Sequence, residues 1–292
     1  MGDWRVAVRA EAGLPADAPA AELASGPWTT TWSLGAGAGR IFVKTAVLHH
    51  APLLAAEADG LAALAATGVV RTPAVRAHGV EGSLHWLALE WLPLAPPRDA
   101  GAALGRALAA LHRLPAPTVA AGRYGWPVDN FIGATPQPNG WCGRWIDFWR
   151  ERRLRPQLAR AAANGYGDAL QRSGERLVAA LPALLADHEP APSLVHGDLW
   201  SGNAGSVGRD GVVFDPAVHL ADREVDVAMS ELFGGFGREF QAAYRDAFPL
   251  DARYPLRRDL YNVYHLLNHL NLFGDAWLAR CEQAIGRLLA HA

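Results

Sequence analysis

Cysteine is nearly missing from this sequence: Cys142 and Cys281 are the only two among 292 residues. They make no disulfide framework and suit a reducing compartment, so a cytoplasmic protein is expected. Long apolar runs are missing too. No stretch reaches the roughly 18 apolar residues that a membrane span needs. The opening MGDWRVAVRAEAGLP lacks the uninterrupted apolar centre of a secretory signal. Nor is there a surplus of one charge. Lys+Arg total 27 against 29 Asp+Glu, and a net charge of −2 leaves no electrostatic footprint for nucleic acid. Nothing in the sequence sets an oligomeric state.

One scarcity is informative in itself. Lys44 is the only lysine, and arginine supplies every other cation. A lysine that persists in so strong a bias points to a need for a compact point charge, which a planar guanidinium does not replace.

What is present suffices for a large core: half of the residues are hydrophobic and 11 are Trp, over a length that suggests about two domains. Trp4–Arg9 reads as a leading helix. Glu22–Leu34 reads as a strand bent at Ser25-Gly26-Pro27, and the turn GAGAG at Gly35–Gly39 joins it to a second strand, Arg40–Ala46, in a hairpin. GAGAG lies between strands rather than before a helix, which argues against a nucleotide loop there. Ala51–Thr67 has helical leucine spacing, with Pro52 in its first turn and Gly68 at its stop.

Two further strands, Thr72–Val80 and Leu84–Leu92, run into Pro93, Pro96 and Pro97. That Pro-rich exit reads either as a plain linker or as a hinge, at which the backbone of Glu90 and Leu92 would face an adenine. Beyond Gly101 the chain reads as mostly helical: 102–114, 144–163, 168–186, 224–233, 237–248, 255–273 and 275–290, with a long polar and aromatic loop at 122–140. Strands first and helices after imply an α+β protein in two lobes. The expected division is 1–93, a small antiparallel-sheet lobe with one helix that binds nucleotide, and 94–292, a larger, mainly helical lobe for catalysis and substrate.

The most specific stretch is SLVHGDLWSGNAGSVGRDGVVFDP at Ser193–Pro216. Short apolar runs flank His196-Gly197-Asp198, Asn203 and Asp215, which places the three polar groups at the mouth of an expected tight hairpin. Phosphoryl transfer needs such a set: a carboxylate facing the attacking hydroxyl, and an amide and a second carboxylate holding Mg²⁺ against the phosphates of ATP. Asp198 is the candidate base, and Asn203 and Asp215 are the candidate metal ligands. Lys44 on a strand, followed by a helix with Glu57 at its centre, matches the lysine–glutamate pair that positions phosphates. His196 reads as a loop-shaping residue, and Asp226 as an acceptor for loop N–H groups. Asp222, Arg223 and Glu224 either face substrate or lie on a solvated surface. His265 and His269 stand one helical turn apart, but Leu266 occupies the place of the glutamate of a zinc motif and no third ligand is evident.

With these residues in place, the chain resembles the fructosamine kinases (ketosamine-3-kinases), relatives of the aminoglycoside and choline kinases with a protein-kinase-like fold. The specific blocks are DNFIGATPQPNGW at 129–141, FWRERRLRPQL at 148–158, DREVDVAMSELFGGF at 222–236 and LYNVYHLLNHLNLFG at 260–274. The resemblance implies MgATP-dependent phosphorylation of the 3-hydroxyl of a ketosamine, free or protein-bound, after which the unstable product releases its amine. It also implies that Trp200 and His269 lie near that substrate. Some relatives carry a redox-active cysteine in the phosphate-covering loop. Ser25–Thr31 has none, so no such switch is expected. A kinase for another hydroxylated amine and a non-catalytic nucleotide-binding module remain as alternative readings.

Overall fold

The computed structural model describes residues 3–47, 50–116 and 120–292. Its N-terminal lobe is a five-stranded antiparallel sheet in the order β1-β2-β3-β5-β4. The strands are β1 (Ala20–Ser25), β2 (Thr30–Leu34), β3 (Ile41–Val47), β4 (Val75–Glu81) and β5 (Leu84–Glu90). The interrupted strand expected at 22–34 is two strands. Ser25-Gly26-Pro27 does not bend the chain but reverses it, with Gly26 N–H donating to Thr29 O at 2.9 Å. GAGAG is the tight connection between β2 and β3.

The two-residue period of β3 decides which way Lys44 points. Ile41 and Val43 face helix α1 (Trp4–Glu11) and pack with Trp4, Val8, Trp86 and Ala88. Phe42 and Ala46 face the other way, toward helix α2 (Ala51–Ala66), and pack with Leu54, Ala58, Leu61, Leu87 and Leu89. Lys44 shares the α2 face, at the centre of β3 opposite Leu87. A one-residue slip would turn it toward α1.

After β5 the chain is mostly helical. Helices α3 (Gly101–Arg113), α4 (Trp145–Phe148), α5 (Arg155–Ala163), α6 (Asp168–Leu184), α7 (Glu224–Leu232), α8 (Arg238–Ala247), α9 (Tyr254–Phe273) and α10 (Leu278–Leu289) follow one another. A π-helical turn, Trp149–Leu154, joins α4 to α5. One core gathers Trp145, Phe148, Leu181, Tyr261, Leu267 and Ile285 from α4, α6, α9 and α10. Another joins α3 and α8 and also takes in Leu64 and Val70 from the N-terminal side.

Two expectations fail here. The region 122–140 is not all loop, because it contains a small hairpin of β6 (Asn130–Ile132) and β7 (Thr135–Gln137). Its inward groups are Asn130, Ile132, Thr135 and Gln137; three of the four are polar, with Asn130 and Gln137 linked to each other at 2.7 Å, so no apolar alternation betrays it. The runs flanking the Asp198 loop also fail to form one hairpin. β8 (Ser193–Val195) pairs with β11 (His219–Ala221), while β9 (Ala204–Val207) pairs with β10 (Asp210–Val213). Two ribbons therefore stand side by side, each carried one step further toward the loop: Phe214 N–H to Asn203 O at 3.0 Å extends β9–β10, and Ala217 N–H to His196 O at 2.8 Å extends β8–β11. Among the described residues no helix is long and apolar enough to cross a membrane.

Candidate active site

The loop after β8 is held from behind. Asp226, buried on α7, accepts from His196 N–H at 2.7 Å and Gly197 N–H at 2.8 Å. Gly197 has φ +84°, and a Cβ there would sit 2.1 Å from Ala217 O, so only glycine lets the chain leaving β8 pass this close to the segment entering β11. His112 Nε2 donates to Asp226 at 3.2 Å, and its Nδ1 lies 2.9 Å from the Tyr244 hydroxyl. These donors outweigh burial and hold the Asp226 carboxyl below its ordinary range. Burial lowers the His196 pKa. Its Nε2–H meets Phe214 O at 3.0 Å, which leaves Nδ1 to accept from Asp198 N–H at 3.3 Å.

Asp198 therefore leaves the loop with a fixed backbone. Burial raises its carboxyl to about 7, only partly offset by Asn203, whose Nδ2 donates to Oδ2 at 2.9 Å, and the Asp215 and Asp226 carboxylates add to the rise. Asn203 Nδ2 also donates to Asp198 O at 3.0 Å. With its amide hydrogens so engaged, Asn203 keeps its carbonyl oxygen for another partner.

On the opposite wall, Lys44 Nζ donates to both Glu57 oxygens, at 2.8 and 2.9 Å, and to Asp215 Oδ1. Burial alone would lower the Lys44 pKa, but the Asp215 and Glu57 carboxylates override it and the value rises. Burial pushes Glu57 up, against the pull of Lys44. Asp215, half-exposed at the crevice, loses some hydration there, which by itself would raise it, but Lys44 holds it low. Gly60 explains how Glu57 reaches this meeting. It sits in mid-helix on α2, and a Cβ there would lie 2.8 Å from Pro216 Cγ. Glycine thus lets α2 approach the segment that carries Asp215, and Glu57, one turn earlier, arrives at the lysine. Asp215 itself has φ +54°, a left-handed conformation that Asp tolerates better than most residues.

Lys44, Glu57, Asp198, Trp200, Asn203, Asp215 and His269 line one crevice of about 290 Å³, together with Phe131, Gly133, Asn268 and Phe273. Glu90 and Leu92 are not among its lining residues. The Glu90 side chain turns away, accepting from Ala74 N–H at 3.2 Å. His269 Nδ1 donates to His265 O at 2.8 Å, and its ring lies 4.5–5.4 Å from Trp277, Phe233 and Phe273. His265 is buried, and burial lowers it to about 3.

The cluster Asp222, Arg223 and Glu224 is neither at this crevice nor a solvated surface. Asp222 accepts from Tyr261 Oη at 2.6 Å and lies 2.6 Å from His188 Nε2, while Glu224 takes two bonds from Arg257 at 2.6 and 2.8 Å. Arg223 donates to Tyr244 Oη at 2.9 Å and to Pro249 O at 2.6 Å. Among the described residues His188, Asp222 and Glu224 are the three metal-type side chains that converge, but these partners already occupy their oxygens, and no third ligand joins His265 and His269. Sequence reasoning missed His112, Phe131, Asn268 and Phe273. Phe131 lies within the distinctive 129–141 block and Asn268 and Phe273 within the 260–274 block, whereas nothing local marks His112.

Solved structures place the class first. An aminoglycoside phosphotransferase, 16% identical with a TM-score of 0.64 over 97% of each chain, shows that the fold is the protein-kinase-like one. A Haemophilus somnus protein assigned to the fructosamine-3-kinases superposes with a TM-score of 0.88, at 28% identity over 99% of this chain and 98% of that one. A protein of Synechocystis sp. named as a probable ketoamine kinase is 42% identical over 258 residues, 87% of this chain and 84% of its own. The fructosamine kinase family model matches residues 11–291, and the chain belongs to that family of ATP-dependent kinases.

Proposed function

We propose that this kinase phosphorylates the 3-hydroxyl of a ketosamine, a fructosamine or ribulosamine adduct, and so begins the removal of the sugar from the amine. The observation that carries the reading is the single crevice. It has the Lys44–Glu57–Asp215 triad on one wall, Asp198 and Asn203 beneath, and Trp200 and His269 at the acceptor end. The relatives named above as ketoamine and fructosamine-3-kinases support the substrate class.

Asp198 is the base. It orients the acceptor hydroxyl and takes its proton as the oxygen attacks phosphorus. A carboxyl raised toward neutrality suits that task, and such groups contribute about 10²–10⁴-fold. Lys44, fixed by Glu57, holds the nucleotide phosphates. The donor set fits Mg²⁺: the uncommitted carbonyl oxygen of Asn203 and the half-exposed carboxylate of Asp215 are both hard oxygens, which that ion prefers. Bound Mg²⁺ would neutralise charge developing on the phosphate oxygens. At the acceptor end, the His269 Nδ1–H is spent on His265 O, so the neutral ring offers Nε2 as an acceptor for a sugar hydroxyl. The Trp200 indole offers a face to the sugar or to the cationic amine.

The division between the lobes falls at 93/94 in this reading, supported by two bonds just beyond it. Ala95 exchanges hydrogen bonds with Ser206 at 2.9 and 2.8 Å, so by that residue the chain is tied to β9. Glu90 to Leu92 then forms the hinge. Glu90 N–H is spent on Ala74 O and Leu92 O accepts from Leu94, and in this reading adenine takes the Glu90 carbonyl and Leu92 N–H. A cytoplasmic setting would supply the ATP. Steady-state kinetics with fructose and ribose adducts of lysine, free and within a peptide, with ³¹P spectra of the product, test the assignment. Turnover with a 3-phosphate product is expected. Turnover of aminoglycosides alone would replace it with the other hydroxylated-amine reading.

A further inference from the structure

The turn between β1 and β2 has an uneven surface. Residues 21–27 are all exposed, yet Trp28 and Thr29 are half-buried. Trp28 is covered because it leans across the crevice: its ring lies 6.2 Å from that of Phe273, at 51°. Phe273 ends α9 and is still 56% exposed, an apolar ring that the fold alone does not cover. Trp28, Thr29 and Phe273 line the same crevice as Asp198 and Trp200. The charged side chains of that lining are Lys44, Glu57, Asp198 and Asp215, all assigned above to phosphate, metal or proton. No carboxylate of the lining remains for the amine of the substrate. What remains there is uncharged, and much of it is aromatic: Trp28, Phe131, Trp200, His269 and Phe273.

We propose that Trp28 is an acceptor-site residue: carried on the turn that overhangs the phosphates, it closes with Phe273 over the amine-bearing end of the substrate and keeps water from the transferable phosphoryl group. The identity of the acceptor rests on the ketosamine reading, but the exclusion of water does not. A single ammonium is well held by aromatic faces. A polycation would be stripped of water here with no carboxylate to pair its further charges, which disfavours polyamine sugars. If the ring is removed, water takes the place of the acceptor hydroxyl. Its oxygen forms the new bond to the γ-phosphorus, the bond to the ADP oxygen breaks, and Asp198 receives the proton.

The test compares Trp28→Ala and Trp28→Phe in the full chain with MgATP, reading the KM for the fructose adduct of lysine, the KM for ATP, and ADP release without acceptor. Trp28→Ala is expected to raise the adduct KM about tenfold while the ATP KM stays within about twofold, the scale of one lost aromatic contact. Acceptor-free ADP release should rise several-fold, and Trp28→Phe should restore both. Trp28→Ala combined with Phe273→Ala should be little worse than either alone, since the two rings act as one unit. A parallel rise in both KM values would place Trp28 on the nucleotide and overturn the proposal, as would wild-type ADP release from Trp28→Ala. Should the wild-type protein ignore every ketosamine, the substrate reading falls, while ADP release still decides the role of Trp28.

Discussion

At the scale of single residues, Asp198 as the proposed base should set the pH behaviour. Burial raises it to about 7. The base works only when deprotonated, so kcat/KM should climb as pH rises through that value and fall with acidification below it. A pH–rate profile checks this, and activity that declines from pH 5 to 8 would contradict it. Asp198→Asn should lower turnover at least about 10²-fold while ATP still binds, read by calorimetry beside kinetics. The lone lysine was legible in composition and the HGD-x₄-N spacing in sequence, but the state of these groups was not. Whether a carboxyl sits at 4 or 7 depends on how much water the fold removes from it and on which charges from distant segments come near, here Asp215 and Asp226.

At the scale of elements, α2 and α7 carry the site. Glycine in mid-helix normally costs about 1 kcal/mol against alanine. At Gly60 the balance is reversed by Pro216, which any Cβ would meet at 2.8 Å. Gly60→Val should therefore push α2 away, separate Glu57 from Lys44 and raise the ATP KM without touching the acceptor KM. Kinetics on both substrates decide this, and an unchanged ATP KM would argue against the approach of α2 as the reason for the glycine. On α7, Asp226→Ala orphans the buried N–H groups of His196 and Gly197, at about 1–3 kcal/mol each, which thermal unfolding would reveal. The native Asp226 pKa is depressed, so its contribution is present above the unfolded value and is lost as pH falls through the native one. Helix α2 and the place of Glu57 on it were readable from leucine spacing. The β6–β7 hairpin was not, because buried amides rather than an alternating apolar pattern hold it.

At the scale of the whole molecule, the N-terminal part is not self-sufficient. Leu64 and Val70 are buried in the same core as Leu104, Val213 and Phe240. A fragment of residues 1–93 should lack a cooperative thermal transition in calorimetry or circular dichroism, whereas the full chain shows one. A sharp transition in the fragment would show that the shared core is dispensable. By itself the sequence determined the succession of an N-terminal sheet and later helices, the family and the identities of the lysine, glutamate, aspartates and asparagine, because periodicity and motif spacing are written along the chain. Only the tertiary structure decided that two separate ribbons rather than one hairpin bear the acidic loop, that Asp222 and Glu224 lie buried away from the crevice, and that Trp28 reaches Phe273. Those outcomes depend on contacts between residues far apart in sequence, and a pattern read along one chain carries no record of which distant surfaces will shield one another from water.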